Sequence, residues 1–250
     1  MRSLLALVLV TGCVLASWTE SVAADAEAAK AIIDAAIQAH GGQDALAKTA
    51  LMMRQAKGVM TFSGQEVPFT DELVLQLPQR WRWTLEAGNA GQKTRLLFVI
   101  NGDKGWQAAG GMVLELSKQK LEELHAEAYV LWLSTLLPLS KDAGFSLAVL
   151  PDADVEGRPA ACIRIEHKGR PELRLYFDKQ SLLLVQIARR AKLADLSVEK
   201  DCIYSAHRRF EGIQLPTKYA ELANGKKLVE VSDLSYQFLR SVDERTFARP

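Results

Sequence analysis

The chain has 250 residues, of which 48% are hydrophobic and 24% are charged, a composition typical of a globular protein and not of a disordered or fibrous one. Its 31 Lys and Arg residues against 30 Asp and Glu residues leave a net charge of +1, which gives no sequence-wide electrostatic signature of a nucleic-acid-binding protein. Three cysteines are too few for a disulfide scaffold.

Residues 1–23 have the pattern of an export signal. Arg2 precedes an apolar run over 4–16 that has one short interruption and is too short to span a bilayer. Ser21 and Ala23 then supply small residues at the alternate positions that a signal peptidase needs. We therefore predict a signal peptide over 1–23, cleavage after Ala23, and an exported, periplasmic mature chain.

A second interpretation of this segment is lipid attachment. The run Val10-Thr11-Gly12-Cys13 fits the pattern for acylation of Cys13, although few residues precede it and apolar residues follow it. No later segment has the length of apolar sequence that a transmembrane helix requires, so we expect the mature chain to be soluble.

Two helical segments open the mature chain. We predict an amphipathic helix that is capped by Asp25 and ended by Gly41-Gly42. Its apolar residues recur with helical spacing: Ile32, Ile33, Ala36 and Ile37. A shorter helix is predicted over 44–50, after which the apolar period changes from 3.6 to 2.

Strands follow this change of period. On one of them, Trp81, Trp83 and Leu85 alternate with polar residues that include Arg80 and Arg82, so one face carries indoles and the other carries guanidinium groups. The continuous apolar run over 96–100 predicts a further strand. Residues 106–116 predict a hairpin with its turn at Gly110-Gly111.

The helical period returns between Ser117 and Pro138. Five apolar residues share one side of this predicted helix: Leu121, Leu124, Ala128, Leu131 and Leu136. The opposite side includes Glu122, Glu123 and Glu127, which we interpret as a solvated face. The second half is apolar almost all round, so we expect it to be covered on every side.

The rest of the chain, after Phe145, has the pattern of an antiparallel sheet. Tight turns are predicted at a spacing that a meander requires: Glu156-Gly157, Lys168-Gly169, Asp178-Lys179, Glu211-Gly212 and Asn224-Gly225. We interpret Arg189-Arg190 and Arg208-Arg209 as dispersed surface charge, with a small basic patch for lipid headgroups or a docking partner as the alternative. Cys162 and Cys202 fall on strands separated by two others, too far apart for a disulfide, so we predict two free thiols.

These elements predict a single α+β domain over 24–250. We expect a strongly curved antiparallel sheet, an incomplete β-barrel, with an N-terminal helix and a helical insert laid against it. A sheet that curls without closing leaves an apolar face that needs a cover. The sequence leaves open whether the helices fill that hollow as a packed core or lid a cavity.

The order of helix, strands, apolar helical insert and strands resembles the LolA and LolB family of exported lipoprotein carriers. Three short stretches carry the resemblance: 73–78 with the aromatic strand Trp81-Arg82-Trp83, then Asn101-Gly102-Asp103-Lys104-Gly105-Trp106, and the C-terminal stretch 242–250. The resemblance implies an incomplete β-barrel that holds lipid beneath a helical lid. The family's arginine before the proline, which fastens the lid, is replaced here by Leu77, and this favours an amphiphile other than a sorted lipoprotein.

The resemblance implies a carrier that sequesters the acyl chains of a lipid or lipoprotein without chemistry, working with a membrane-bound donor or acceptor protein. Loose, shape-tolerant binding is what a shuttle that must release its cargo requires. The candidate lining residues are apolar: Trp81, Trp83, Leu85, Phe98, Trp106, Leu131, Trp132, Leu136, Leu173, Leu175 and Phe177. The alternative for each is an ordinary core position. The alternative function is a LolA-like sensing or interaction module that binds an acylated or extended polypeptide.

Catalytic and metal-binding interpretations have little support in the sequence. The four histidines fall on different predicted elements and none has a partner at metal-ligand spacing. No nucleophile elbow, phosphate loop or dinucleotide fingerprint occurs. We therefore expect a monomeric protein that is not an enzyme, holds no cofactor or metal and does not bind nucleic acid.

Overall fold

The computed structural model describes residues 14–89, 91–193 and 196–250. Most of the predicted signal peptide, over 1–13, lies outside the described residues, and so does the alternative acylation site at Cys13. The first helix begins at Val14 and passes through Asp25, so the prediction that Asp25 caps it is wrong. No Gly or Pro between residues 14 and 25 interrupts the helix. Cleavage after Ala23 stays a prediction.

Four helices and thirteen strands make up the described ranges. The helices are α1 (Val14–Ala39), α2 (Gln43–Leu46), α3 (Lys118–Leu133) and α4 (Leu137–Lys141), with 3₁₀ turns at Ala47–Ala50 and Glu244–Phe247. The strands are β1 (Leu51–Phe62), β2 (Gln65–Gln76), β3 (Arg80–Ala87), β4 (Thr94–Asn101), β5 (Lys104–Ala109), β6 (Met112–Glu115), β7 (Phe145–Val155), β8 (Arg158–His167), β9 (Leu173–Asp178), β10 (Leu184–Leu193), β11 (Leu196–Phe210), β12 (Ile213–Ala223) and β13 (Lys226–Phe238). No described helix combines the length and apolarity that a membrane crossing needs.

All of these strands belong to one antiparallel sheet. Its order is β6-β5-β4-β3-β2-β1-β13-β12-β11-β10-β9-β8-β7, two meanders joined where β1 pairs with β13. The outermost strands, β6 and β7, do not pair with each other, so the curved sheet stays unclosed. The predicted α+β fold with an incomplete barrel is thereby confirmed.

The helices cover one face of the sheet, which we call the inner face. Ile33 and Ile37 of α1 and Leu133 of α3 are almost fully buried and pack on residues of β8, β9 and β10. At the other end, Leu124 and Ala128 of α3 pack on β1–β4. Burial of each large apolar side chain contributes about 1.5–3 kcal/mol, so α1 and α3 are held mainly by their apolar sides.

The opposite, outer face carries the C-terminal turn. Phe247 is fully buried there against Val74 and Val99. Arg80 Nη1 donates to Glu244 Oε2 at 2.6 Å, and Arg82 Nη1 donates to the Thr246 carbonyl at 3.4 Å. The expectation that these two arginines point away from the Trp81–Trp83 face is therefore confirmed.

The helical insert is two helices and not the single one predicted between Ser117 and Pro138. Ser117 caps α3, since its hydroxyl accepts from the Lys120 amide. The helix ends at Leu133, because the Ser134 and Thr135 hydroxyls donate to carbonyls of the last turn and Leu136 adopts a φ of 65°.

Both cysteines of the sheet are free thiols, as predicted. Cys162 on β8 is buried among side chains of the outer face, whereas Cys202 on β11 is half-buried on the inner face. Strands β9 and β10 separate the two residues.

Two histidines fasten the end of α1 to the sheet. His40 Nδ1 donates to the Gln214 carbonyl at 2.7 Å, and its Nε2 accepts from the Leu184 amide at 3.0 Å. That arrangement requires a neutral imidazole with its proton on Nδ1. His207 Nε2 donates to the Leu184 carbonyl at 3.1 Å, and the two rings lie 6.2 Å apart.

These histidines should make stability depend on pH. Burial lowers the pKa of His40, and burial with the neighbouring His40 lowers the pKa of His207 to about 4. In the unfolded chain both pKa values return to 6.5, so between these limits the unfolded chain binds more protons. The contribution of the two neutral histidines to the free energy of unfolding should be complete above pH 6.5 and should decrease as the pH falls towards about 4.

Urea unfolding at about pH 7.5 and pH 5 measures this effect. His207→Gln should reduce the difference between the two pH values, since the group with the pKa of about 4 no longer titrates. The same substitution at His125 on α3 is the matched control and should leave the difference unchanged. Equal stability of the unsubstituted protein at both pH values would contradict the account.

Candidate functional site

A cavity lies between α3 and the middle of the inner face, and we call it the inner cavity. Its volume is about 120 Å³, similar to engineered apolar cavities of about 150 Å³ that bind benzene. One part of its wall is apolar: Met52, Leu75, Val130, Leu131, Leu184 and Leu234. Helix α3 therefore lies over a cavity at the centre of the inner face, and the helices pack as core on both sides of it.

The other part of the wall is a polar strip that crosses the inner face. It consists of Arg54, Arg189, Lys200, Tyr204, Tyr219 and Glu221. Strand register brings these residues together, because Arg189 pairs with Lys200 and Tyr204 pairs with Tyr219 on neighbouring strands. Side chains at paired positions point to the same face of a sheet.

An ionic cluster joins the lid helix α3 to the polar strip. Glu127 Oε1 accepts from Arg189 Nη2 at 2.6 Å and from Lys200 Nζ at 3.2 Å, and Lys200 also lies 3.1 Å from Glu221 Oε2. The Arg189 side chain is only 6% exposed, whereas that of Glu127 is 42% exposed. The cluster places a buried positive charge against the carboxylate of the lid.

The charges of this cluster stabilise one another. Burial alone would raise the pKa of Glu127, but Arg189 and Lys200 together lower it below its ordinary value. Burial would lower the pKa of Lys200, and the nearby Glu221 and Glu127 raise it instead. Glu127 and Lys200 are therefore both ionised at neutral pH.

Two further polar groups of the cavity wall, Cys202 and Tyr204, hold their protons at neutral pH. Burial raises the pKa of the Cys202 thiol to about 12, so it is protonated at neutral pH and a poor nucleophile. Burial also raises the pKa of Tyr204 well above its ordinary value. In the described part of the chain, no three His, Cys, Asp or Glu side chains come close enough to hold a metal ion.

A shallower groove lies on the other side of Leu46, Thr49 and Thr135, and we call it the outer groove. Its volume is about 400 Å³, and Leu77, Trp132 and Leu137 contribute to its wall. Because Leu46, Thr49 and Thr135 line both spaces, they form the partition between the inner cavity and the outer groove.

Ten of the eleven predicted lining residues occupy four places. Leu131 lines the inner cavity and Trp132 lines the outer groove. Four pack on the inner face, three of them (Trp81, Trp83 and Phe98) in the cluster that includes α3 and Leu85 in a neighbouring cluster. Four are buried in the core beneath α1: Leu136, Leu173, Leu175 and Phe177.

Trp106 departs from the others. It packs with Phe247 and Val99 on the outer face, since its strand register sets it opposite Val99. It therefore lies outside the inner cavity. Sequence alternation within β5 is too short to decide which face its single indole occupies.

Sequence reasoning missed the ionic cluster. The interpretations are wrong for Glu127, which binds the buried Arg189, and for Arg189 itself. Glu122 is exposed, as are Arg190, Arg208 and Arg209. A local signal exists on β11, where Lys200, Cys202 and Tyr204 occupy alternate positions on a strand that crosses the middle of the sheet. If the inner face were apolar throughout, these three positions would carry apolar residues. Their polar side chains indicate a polar region in the middle of the sheet.

Solved structures show what this architecture is similar to. An outer membrane lipoprotein-sorting protein domain from Vibrio parahaemolyticus has 12% identity and a TM-score of 0.54 over 89% of this chain and 97% of that one. A LolA superfamily protein from Nitrosomonas europaea has 10% identity and a TM-score of 0.51 over 82% of this chain and 96% of that one. The chain has a LolA-like fold.

This chain is also similar to a DUF1329 family protein from Desulfovibrio piger, with 14% identity and a TM-score of 0.54 over 88% of this chain and 97% of that one. No protein-family model and no curated protein sequence matches the sequence. At such low identity the structural likeness shows the fold alone.

Glu127→Gln should lower the free energy of unfolding by about 1–3 kcal/mol, because Arg189 stays buried and loses its charged acceptor. The expected loss is smaller than for a fully buried pair, since Glu127 is 42% exposed. Glu122→Gln is the matched control on the same helix, where the 4.0 Å pair with Lys118 is exposed and should contribute less than about 0.5 kcal/mol. Urea unfolding measures both variants, and equal losses would contradict a special role for Glu127.

Proposed function

We propose that the protein is an exported, soluble carrier that sequesters the acyl chain of a lipid or lipoprotein beneath α3, without chemistry. The observation that carries the proposal is the inner cavity: a partly apolar vacancy between a helical lid and the inner face of an unclosed LolA-like sheet. The unreactive state of the Cys202 thiol agrees with a role in binding alone.

The energetics of burial suit a carrier. Each methylene removed from water contributes roughly 0.8 kcal/mol, so a chain of about fifteen methylenes offers on the order of 12 kcal/mol before ordering costs. A cavity of about 120 Å³ is too small for such a chain. Uptake therefore requires α3 to move away from the sheet, which separates the Glu127 carboxylate from Arg189 and Lys200.

The cost of that movement sets how tightly the carrier holds its cargo. Charges separated from their partners in a protein interior are costly, but a half-exposed carboxylate such as Glu127 can be rehydrated as the lid opens. The lid is then held firmly enough to exclude water and loosely enough to release a chain.

Filling the inner cavity should abolish uptake. Leu131→Trp places an indole on α3 where the helix lines the cavity, and it should reduce extraction of a fluorescent phospholipid from donor vesicles by at least about tenfold. Glu122→Trp adds the same indole on the exposed side of the same helix and should extract lipid like the unsubstituted protein. Circular dichroism confirms that both variants are folded.

The same extraction assay separates the carrier from other classes of protein. Lipid recovered at no more than about one equivalent per chain, and chemically unchanged, supports the carrier. Full extraction by Leu131→Trp would contradict the site, and cleaved lipid would identify an enzyme. Tight binding of an acylated polypeptide with no lipid extraction would instead identify a sensing or interaction module.

A further inference from the structure

Arg54 is the cation of the polar strip that the ionic cluster does not use. It lies on β1 opposite Tyr236 of β13, and its side chain lines the inner cavity while remaining only 14% exposed. Its guanidinium carbon lies 5.7 Å from the centre of the Tyr219 ring. That ring holds the cation in place but supplies no hydrogen-bond acceptor in its plane.

The guanidinium of Arg54 is short of acceptors. Of its five N–H donors, the described part of the chain engages one, in a long contact of 3.4 Å from Nη2 to Asp71 Oδ2. Charge-assisted bonds of this kind are normally about 2.7–2.9 Å long. Asp71 Oδ2 also accepts from the Trp83 indole at 3.0 Å, and Arg54 Nε is buried without a partner among the described residues.

Arg54 is the cation of the inner cavity whose N–H donors are least used. The cavity wall contains Arg54, Arg189 and Lys200 together with Glu127 and Glu221, and the carboxylate paired with Arg54 is Asp71, at 3.4 Å. The two glutamates lie within 3.2 Å of Lys200 or Arg189, so neither satisfies Arg54. A singly charged anion that enters the cavity meets an unsaturated guanidinium on one side and apolar residues on the other.

The remaining geometry selects the shape of the ligand. The volume of about 120 Å³ holds a head group and the first part of one alkyl chain. The larger outer groove lies directly behind the partition of Leu46, Thr49 and Thr135, so a longer chain would continue past these residues. The Thr49 and Thr135 hydroxyls already donate to backbone carbonyls of their own turns. An alkyl chain that passes them therefore leaves no hydroxyl donor without an acceptor.

We propose that the inner cavity binds an amphiphile with one alkyl chain and a monoanionic carboxylate head, with the carboxylate against Arg54 and the chain directed through the partition to the outer groove. The carboxylate supplies acceptors to the Nη hydrogens of Arg54 that Asp71 does not use, a pairing that suits a planar guanidinium. The assignment rests on the proposed carrier function and specifies the class of its ligand.

Three probes with the same chain test the assignment by calorimetry near pH 8, where a carboxylic acid is ionised: decanoate, 1-decanol and decyltrimethylammonium. Decanoate should bind at least about tenfold more tightly than either of the others. Arg54→Met should weaken decanoate binding by at least about tenfold and leave 1-decanol binding within about twofold. Arg54→Lys should recover part of the lost affinity, because it restores the charge without the fork.

Arg82→Met is the matched control, since Arg82 lies on the outer face and donates only to the Thr246 carbonyl among described residues. It should bind all three probes like the unsubstituted protein. If Arg54→Met does not fold, the ranking of the three probes on the unsubstituted protein decides the question alone.

Two failures are distinguishable. Equal affinity for decanoate and 1-decanol, or undiminished decanoate binding by folded Arg54→Met, would overturn the role of Arg54 and leave the carrier function standing. No binding of any of the three probes, together with no extraction of lipid from vesicles, would overturn both proposals.

Discussion

The structure depends on one constraint: an unclosed sheet exposes an inner face that only its own helices can cover. At both ends of that face, apolar helix residues pack on apolar strand residues. Ile33 and Leu133 do so at one end, and Leu124 and Ala128 at the other. In the middle the sheet presents the polar strip, and an apolar helix cannot pack tightly on charged groups without leaving them unsolvated. The inner cavity lies where the cover is interrupted.

The ionic cluster supplies charged partners to the polar strip where α3 covers it. Glu127 is the residue of α3 that meets the strip, and its carboxylate satisfies Arg189 and Lys200 together. Buried pairs of this kind add little net stability, but the loss of one partner is costly. The cluster therefore fixes where the lid sits more than how strongly it is held, and the apolar ends supply most of the stabilisation.

Much of the fold could be predicted from the sequence, because its signals are local. The period of 3.6 located α1 and α3, alternation located β3 and β9, and glycine-containing turns marked four of the six turns between the strands after Phe145. The start of α1 was predicted too late, since Asp25 is a good cap in principle but nothing upstream breaks the helix. The end of α3 was predicted too far downstream, since hydroxyls that bond within a helix give no periodic signal.

The site could not be predicted in the same way, because it is built from distant parts of the chain. Glu127 and Arg189 are 62 residues apart in sequence, and Arg54 approaches Tyr219 only across three neighbouring strands. Apolar alternation identified residues that face inward, but most of these are core, and only Leu131 of the predicted set lines the inner cavity. The position of a cavity depends on how side chains from distant elements pack, and the sequence pattern does not show that packing.

The most direct test of the account is a crystal structure of the protein with a terminally brominated fatty acid, in which anomalous scattering locates the end of the chain. The account predicts that the carboxylate end of the chain lies between Leu131 and the inner face and that the bromine lies in the outer groove, with α3 displaced from its present position. Bromine found only on the outer face, with the inner cavity closed as it is here, would contradict it.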